Sequence, residues 1–154
     1  MKVSYNQYKN DVGGDIDLHS EYEAIKLPKR ATSGSAGYDF YAPCDIELSP
    51  GESIKIPTGI RALIDDGTFL MCVPRSGLGF KYRIMLNNTV GIIDADYAYS
   101  ENEGHIHCKL YNGGDKEIFI QKGTAYMQGI IVNFMTTSDD TSDGVRNGGF
   151  GSTG

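Results

Sequence analysis

With 154 residues, 40 % of them hydrophobic and 22 % charged, the chain has the size of one domain with its own core, and nothing in its length calls for a second. Its net charge of −6 excludes a protein that grips nucleic acid through a broad basic surface, so any phosphate binding has to be local. No apolar run approaches the roughly eighteen residues that span a bilayer, and the start, MKVSYNQYKND, lacks the apolar stretch of a signal peptide, which implies a cytosolic protein without a membrane partner.

Residues 1–20 carry no pattern to which a role can be attached. Beyond them, runs rich in β-branched and aromatic residues predict strands at 47–56, 59–64, 68–73, 91–94, 117–120 and 126–134. Turn signals separate these runs: Ser49-Pro50-Gly51, Asp65-Asp66-Gly67 and Asn112-Gly113-Gly114. A short helical turn after Pro74 is the only helix expected. In residues 105–110 the alternation puts Ile106, Cys108 and Leu110 on one face. His105 and His107 are then expected on an outer, solvated face, although two histidines at i and i+2 could also hold a metal. The rhythm is that of an all-β sandwich, barrel or jelly roll. Cys44, Cys72 and Cys108 cannot all pair and show no zinc spacing, so they read as buried reduced thiols. Residues 136–154 are mostly Ser, Thr, Asp and Gly, with Arg146 and Phe150 as large side chains, and by themselves read as a disordered tail.

Several short groupings carry possible chemistry. In Pro74-Arg75-Ser76-Gly77 a guanidinium fork, a hydroxyl and a glycine amide follow one another at a strand end. That suits a polyphosphate, and equally a surface turn with an exposed Arg. Asp94 and Asp96, two apart, would face the same way on an extended chain, as a metal site or general base does; Asp is also common in turns. Gln128 lies on an apolar strand where a buried amide needs partners. In the tail, Phe150 offers a face to a base, and Arg146, Ser152, Thr153 and the glycine amides offer phosphate contacts.

Five blocks, in order, resemble the five motifs of the trimeric dUTPase family over residues 27–154: Ala36-Gly37-Tyr38-Asp39-Phe40-Tyr41-Ala42, Pro74-Arg75-Ser76-Gly77-Leu78-Gly79, Gly91-Ile92-Ile93-Asp94-Ala95-Asp96-Tyr97, Gly123-Thr124-Ala125-Tyr126-Met127-Gln128 and Arg146-Asn147-Gly148-Gly149-Phe150-Gly151-Ser152-Thr153-Gly154. The resemblance implies a jelly-roll-like subunit in a homotrimer. Its sites would lie between chains: the first, second and fourth blocks from one, the third from another, the fifth from the third. The implied reaction is hydrolysis of dUTP to dUMP and pyrophosphate, which removes dUTP and supplies dUMP for thymidylate synthesis.

The resemblance also assigns roles. Asp94 would orient and deprotonate the attacking water; Arg75, Ser76, Gly77 and Gln128 would hold phosphates; Asp39 would stand near a Mg2+ ion through a bound water. A β-hairpin arm over 85–94, including Gly91 and Asn88, would pair with the uracil edge. Tyr97 would lie under the deoxyribose. Residues 136–154 would be a flexible arm in which Phe150 stacks on the base while Arg146, Gly151, Ser152 and Thr153 reach the phosphates. Fixed backbone donors and acceptors explain rejection of cytosine, because each mispaired buried group costs about 1–3 kcal/mol.

The chain departs from the family pattern in three places. After Tyr97 the family continues with Arg-Gly into the next strand, whereas residues 98–103 intervene here as a short insertion. Ala125 stands where an Arg is usual, and the last block is one residue shorter between Arg146 and Gly148. Two other readings share parts of the pattern. A dCTP deaminase has the same fold, but Tyr97 and the full glycine-rich ending argue against it. A regulatory binding module could use the insertion to contact a protein partner.

Overall fold

The computed structural model describes residues 1–14 and 16–149. In chain order its elements are α1 (Tyr5–Val12), α2 (His19–Ala24), β1 (Lys29–Arg30), β2 (Tyr38–Tyr41), β3 (Ile46–Leu48), β4 (Ser53–Pro57), β5 (Thr68–Pro74), α3 (Ser76–Tyr82), β6 (Ile84–Leu86), β7 (Gly91–Asp94), a 3-10 helix (Ala95–Tyr99), β8 (His107–Asn112), β9 (Ile118–Ile120) and β10 (Ala125–Asn133). The strands make a five-stranded sheet in the order β1-β2-β10-β5-β7, a three-stranded sheet β4-β8-β6 and a pair β3-β9. Their pairings are antiparallel. Among the described residues no helix is long and apolar enough to cross a membrane.

The two-residue period builds the core. β3 and β9 bury their outer residues and expose the middle one, so Ile46, Leu48, Ile118 and Ile120 point the same way. These join Phe40, Leu70, Cys72 and Met127 of the large sheet and Ile56, Ile84, Leu86, Cys108 and Leu110 of the three-stranded one in a single cluster. Each such side chain contributes roughly 1.5–3 kcal/mol on burial, so the fold is held mainly by this cluster between sheets.

Several expected elements are corrected. The run 47–56 is two strands, because Glu52 N–H bonds back to the Ser49 carbonyl at 3.1 Å and Gly51 adopts φ +80. The run 59–64 is not a strand: Gly59 at φ +73 breaks the extended path, and Ile60 makes only an isolated bridge with Lys2. Strand β2 runs through the first glycine-containing block, where none was expected. The expected turn after Pro74 is α3, but two further helices precede the sheets. Ser4 caps α1 by accepting from Gln7 N–H at 3.2 Å, Gly13 at φ +79 ends it, and Tyr8 is buried beneath it. The N-terminal segment is thus packed onto the core, with Val3, Tyr8 and Leu18 inside.

That packing also overturns the solvated face expected for the histidines. His105 is fully buried and the His107 side chain only 6 % exposed, because α1 lies across the start of β8 and brings Asp11 to the His105 ring at 2.5 Å. Burial pushes the His105 ring below the ordinary imidazole range against the pull of Asp11. It takes His107 down to about 4, with neighbouring His105 and Lys55 adding to the effect. Burial opposes ionisation of Asp11, yet hydrogen bonds from Gln7 and His105 hold its carboxyl below the usual range.

The fold therefore favours the neutral rings, while the unfolded chain takes up protons near pH ~6.5. Stability should be flat above about pH 6.5 and fall as the pH drops towards about 4. Urea midpoints measured between pH 7.5 and 4 should show this loss, and His107→Asn should flatten part of it. A midpoint independent of pH over that range would contradict the burial argument.

Candidate active site

The residues singled out in the sequence fall into two groups. The first surrounds a cavity of about 210 Å³ whose walls include Cys72, Leu86, Asn88, Gly91, Asp94 and Tyr97. It exists because of how the chain leaves β6. The expected hairpin over 85–94 is not one: β6 pairs with β8 in the small sheet, and β7 pairs with β5 in the large one. The turn between them is tight, with Thr89 at φ +70 and its N–H on the Leu86 carbonyl at 2.9 Å. Beyond it the strands splay to join different sheets. A slot opens where a ladder would have closed.

Asp94 ends β7 and stands half-exposed at the rim of this slot. The chain does not stay extended after it, as the spacing of Asp94 and Asp96 suggested, but turns into the 3-10 helix. Both carboxylates nevertheless meet one cation. Arg146 reaches Asp94 Oδ2 at 2.5 Å through Nη2 and Asp96 Oδ1 at 2.7 Å through Nε. The 3-10 helix carries Tyr97 inward to 5 % exposure along the cavity wall. Gly149 lies so close that a Cβ there would come within 2.6 Å of the Tyr97 ring. The Cys72 thiol lines the same space, but burial pushes its pKa up to about 12, so it is a neutral wall and no nucleophile.

The second group sits where β2, β10 and β5 lie side by side. Gln128 is opposite Asp39 on one side and Val73 on the other, and Arg75 follows β5 directly. Asp39, 8 % exposed, accepts a hydrogen bond from Arg75 Nη1. Gln128 reaches the Pro74 carbonyl at 3.4 Å, and its amide oxygen fills the place that a side chain at Gly37 would need. Ser76 and Gly77 open α3. Its first hydrogen bonds run from Leu78 and Gly79 N–H to the Arg75 carbonyl, so the amides of Ser76 and Gly77 precede the helical ladder.

Strand register separates the two groups. Asp94 is opposite Phe69, six residues before Arg75, which at ~3.3 Å per residue is ~20 Å along β5. Asn88, Gly91, Asp94, Tyr97 and Arg146 are brought together; Asp39, Arg75, Ser76, Gly77 and Gln128 are brought together elsewhere. Phe150, Gly151, Ser152 and Thr153 lie outside the described residues.

Two side chains behind the cavity, Asn102 and Asp11, were not anticipated. The Tyr97 hydroxyl donates to the His105 carbonyl at 2.9 Å and accepts from Asn102 Nδ2 at 2.8 Å, and His105 is tied to Asp11. The ligand atoms of Asp11, His105 and His107 lie within 4.8 Å of one another, a spacing that could hold a metal ion. The hydrogen bonds point to another use. Gly59 N–H donates to His105 Nε2 at 2.8 Å, so that nitrogen is the acceptor, and the neutral ring carries its proton on Nδ1, facing Asp11. An Nδ1–H links the helix to the strand and has no lone pair for a metal. The capping spacing Ser4…Gln7 was the sequence signal for α1; nothing local told where α1 would dock.

A family model described as dUTPase matches residues 23–154. The chain is 41 % identical over 145 residues to a deoxyuridine 5'-triphosphate nucleotidohydrolase of Lactococcus lactis, covering 92 % of this chain and 97 % of that one. It is similar in structure to a dUTPase from Streptococcus mutans, with a TM-score of 0.66 and 35 % identity over 75 % of this chain and 91 % of that one. A Staphylococcus bacteriophage 80alpha dUTPase with dUPNHPP shares the fold at 22 % identity, with a TM-score of 0.66 over 86 % and 94 % of the two chains.

Two glycines distinguish contacts that can yield from contacts that cannot. Gly37→Ala would press on the Gln128 side chain, closest at its amide oxygen, which can swing away, and more lightly at its Cβ at 3.3 Å, so its unfolding free energy should change by less than ~1 kcal/mol. Gly104→Ala would meet the Ala98 Cα at 2.5 Å from a backbone at φ +67 and should cost about 2 kcal/mol or more. Equal urea midpoints for the two variants would show that the turn after residue 103 is not rigid.

Proposed function

The chain belongs to the dUTPase family, and from that membership we propose how its own residues hydrolyse dUTP to dUMP and pyrophosphate. The observation that carries the reading is the slot between β6 and β7. At about 210 Å³ it suits a pyrimidine base and its sugar and is too small for a whole nucleoside triphosphate, so the phosphates would lie outside it. Asn88 and the backbone about Gly91 would read the uracil edge, and the Tyr97 ring would form the wall against the deoxyribose. Asp94 at the rim would hold and deprotonate the water that attacks the α-phosphorus in line, with pyrophosphate leaving and no covalent intermediate.

Arg75, Ser76, Gly77 and Gln128 would bind the phosphates, and Arg146, Phe150, Gly151, Ser152 and Thr153 would close over the nucleotide as an arm. The donors present suit Mg2+. Asp39 is a nearly buried carboxylate beside Arg75 in the phosphate group of residues, and this ion commonly takes one or two carboxylates, the substrate phosphates and several waters. Asp39 would hold it through a water, and the bound ion would neutralise charge on the triphosphate. The product dUMP would serve thymidylate synthesis as dUTP is removed.

One chain cannot bring Asp94 and Arg75 to one phosphorus, because attack needs reacting atoms about 3–3.5 Å apart and the strand register separates these residues by ~20 Å. This favours a homotrimer of single-domain, jelly-roll-like subunits over residues 1–154, with each site shared between chains. An apolar surface hollow lined in part by the exposed side chains Leu27, Leu63 and Ile131 offers area for such contacts.

Asp94→Asn should keep nucleotide affinity and lower turnover by about 10²–10⁴, the usual contribution of a positioned base. Near-normal pyrophosphate release would remove Asp94 from the mechanism. Arg75→Ala should be similarly impaired. Co-expressed with Asp94→Asn, however, it should regain activity at roughly a quarter of the sites, where a sound Asp94 and a sound Arg75 come from different chains. Mixtures no more active than either parent would mean that the site is not shared.

A further inference from the structure

Two stretches lie outside the five motifs: residues 1–22, which precede the family model's match, and the segment 98–103 within it. They meet behind Tyr97. Ser4 donates its N–H to Glu103 Oε2 at 2.7 Å and its hydroxyl to Oε1 at 2.6 Å. The same Ser4 oxygen caps α1 by accepting from Gln7 N–H. At the other end of α1, Asp11 binds the His105 ring at 2.5 Å, and the His105 carbonyl accepts the Tyr97 hydroxyl at 2.9 Å. The circuit closes at Asn102. Its Nδ2 donates to the Tyr97 oxygen at 2.8 Å, while its Oδ1 accepts from Ser100 Oγ at 2.9 Å and Gly104 N–H at 3.2 Å.

The buried hydroxyl of Tyr97 thus has one acceptor and one donor on opposite arms, which fixes the tilt of the ring. The Glu103 carboxyl is held below its usual range chiefly by the Ser4 hydrogen bonds, so the link between helix and insertion stays charged around neutrality.

We propose that the N-terminal helix and the insertion are one positioning frame, and that Asn102 sets the Tyr97 ring and thereby the preference for a deoxyribose over a ribose. The proposal rests on the reading of Tyr97 as the sugar wall. An apolar wall rejects an added hydroxyl only by crowding, and that works only while the wall cannot retreat. The strands that carry the cavity leave one side of Tyr97 to the 98–103 segment, and Asn102 is the side chain of that segment which grips it.

Asn102→Asp tests this directly: it keeps the oxygen that organises Ser100 and Gly104 and puts a carboxylate oxygen, which can only accept, in place of the donor to Tyr97. The readout is kcat/KM for UTP over that for dUTP, measured with the full chain and magnesium. Asn102→Asp should raise this ratio roughly three- to tenfold, the worth of one hydrogen bond. Tyr97→Phe, which deletes that bond together with the one to the His105 carbonyl, should raise the ratio at least as far, and the double variant should rise no further than Tyr97→Phe alone. Should Asn102→Asp fold poorly, Tyr97→Phe and Glu103→Ala together carry the test, and an unchanged ratio in both overturns the frame. Glu103→Ala, which leaves Asn102 and Tyr97 intact, should move the ratio the same way by a smaller factor. Tyr97→Ala separates the two levels of the argument. If it changes the ratio while Asn102→Asp and Tyr97→Phe do not, the frame is wrong and the sugar wall stands. If Tyr97→Ala leaves the ratio alone, the sugar wall is wrong and the frame falls with it. Additive effects of Asn102→Asp and Tyr97→Phe would also overturn the frame.

Discussion

The register of β5 between its two neighbours governs the molecule. Gly129 of β10 and Gly91 of β7 both lie opposite Cys72, and a Cβ at either would crowd what β5 sends inward: Leu70 at 2.8 Å from Gly129, Cys72 at 3.1 Å from Gly91. Glycine on both flanks lets the inward side chains of β5 lie across the sheet and reach the core. The same pairing sets Gln128 opposite Val73 and Asp94 opposite Phe69. A strand is stiff along its length, so Gln128 and Arg75 at one end of β5 and Asp94 at the other are held apart by the ladder itself. The proposed sharing of sites between chains rests on that spacing more than on any surface feature.

Much of this was legible in the sequence wherever one short period or one motif decided the outcome. Alternation over Ile106, Cys108 and Leu110 identified the inward face of β8, and the order of five blocks identified the family. The failures share a cause: a period says which residues lie on one face, not what covers that face. His105 and His107 are on the face opposite Leu110, as expected, yet α1 arrives from about a hundred residues away and buries them. β6 and β7 looked like a hairpin because they are close in sequence, but their hydrogen-bond partners are β8 and β5, and no local signal ranks a distant partner above a near one. The spacing Ser4…Gln7 does mark a helix start, in a segment that lies ahead of the five motifs.

The insertion makes the same point from the other side. Residues 98–103 look in sequence like a surface loop free for a partner. Ala98 and Ser100 are buried, though, Asn102 grips Tyr97 and Glu103 holds Ser4, while Tyr99 at 79 % exposure is the large side chain turned outward. The N-terminal helix and the 98–103 segment meet at the surface, where the Glu103 carboxylate accepts both hydrogen bonds that Ser4 donates.

Electrostatics bind these features to the proposed reaction. An anionic nucleotide gains nothing from the overall field of a chain of net charge −6, so binding depends on individual cations. Arg75 is paired with Asp39, and Arg146 with Asp94 and Asp96. In each pair one side chain is open to water, Arg75 at 39 % and Asp94 at 44 %, while its partner is more covered, Asp39 at 11 % and Arg146 at 22 %. A phosphate offers a guanidinium the same bidentate geometry as a carboxylate with more negative charge, so it competes for both arginines. The carboxylates so released are not equivalent. Asp39 is freed beside the phosphates, where the proposed metal would sit, and Asp94 is freed at the rim of the slot, where the proposed water would be held. In the proposed mechanism Asp94 is free to act as the base only once the Arg146 of its own chain has left it.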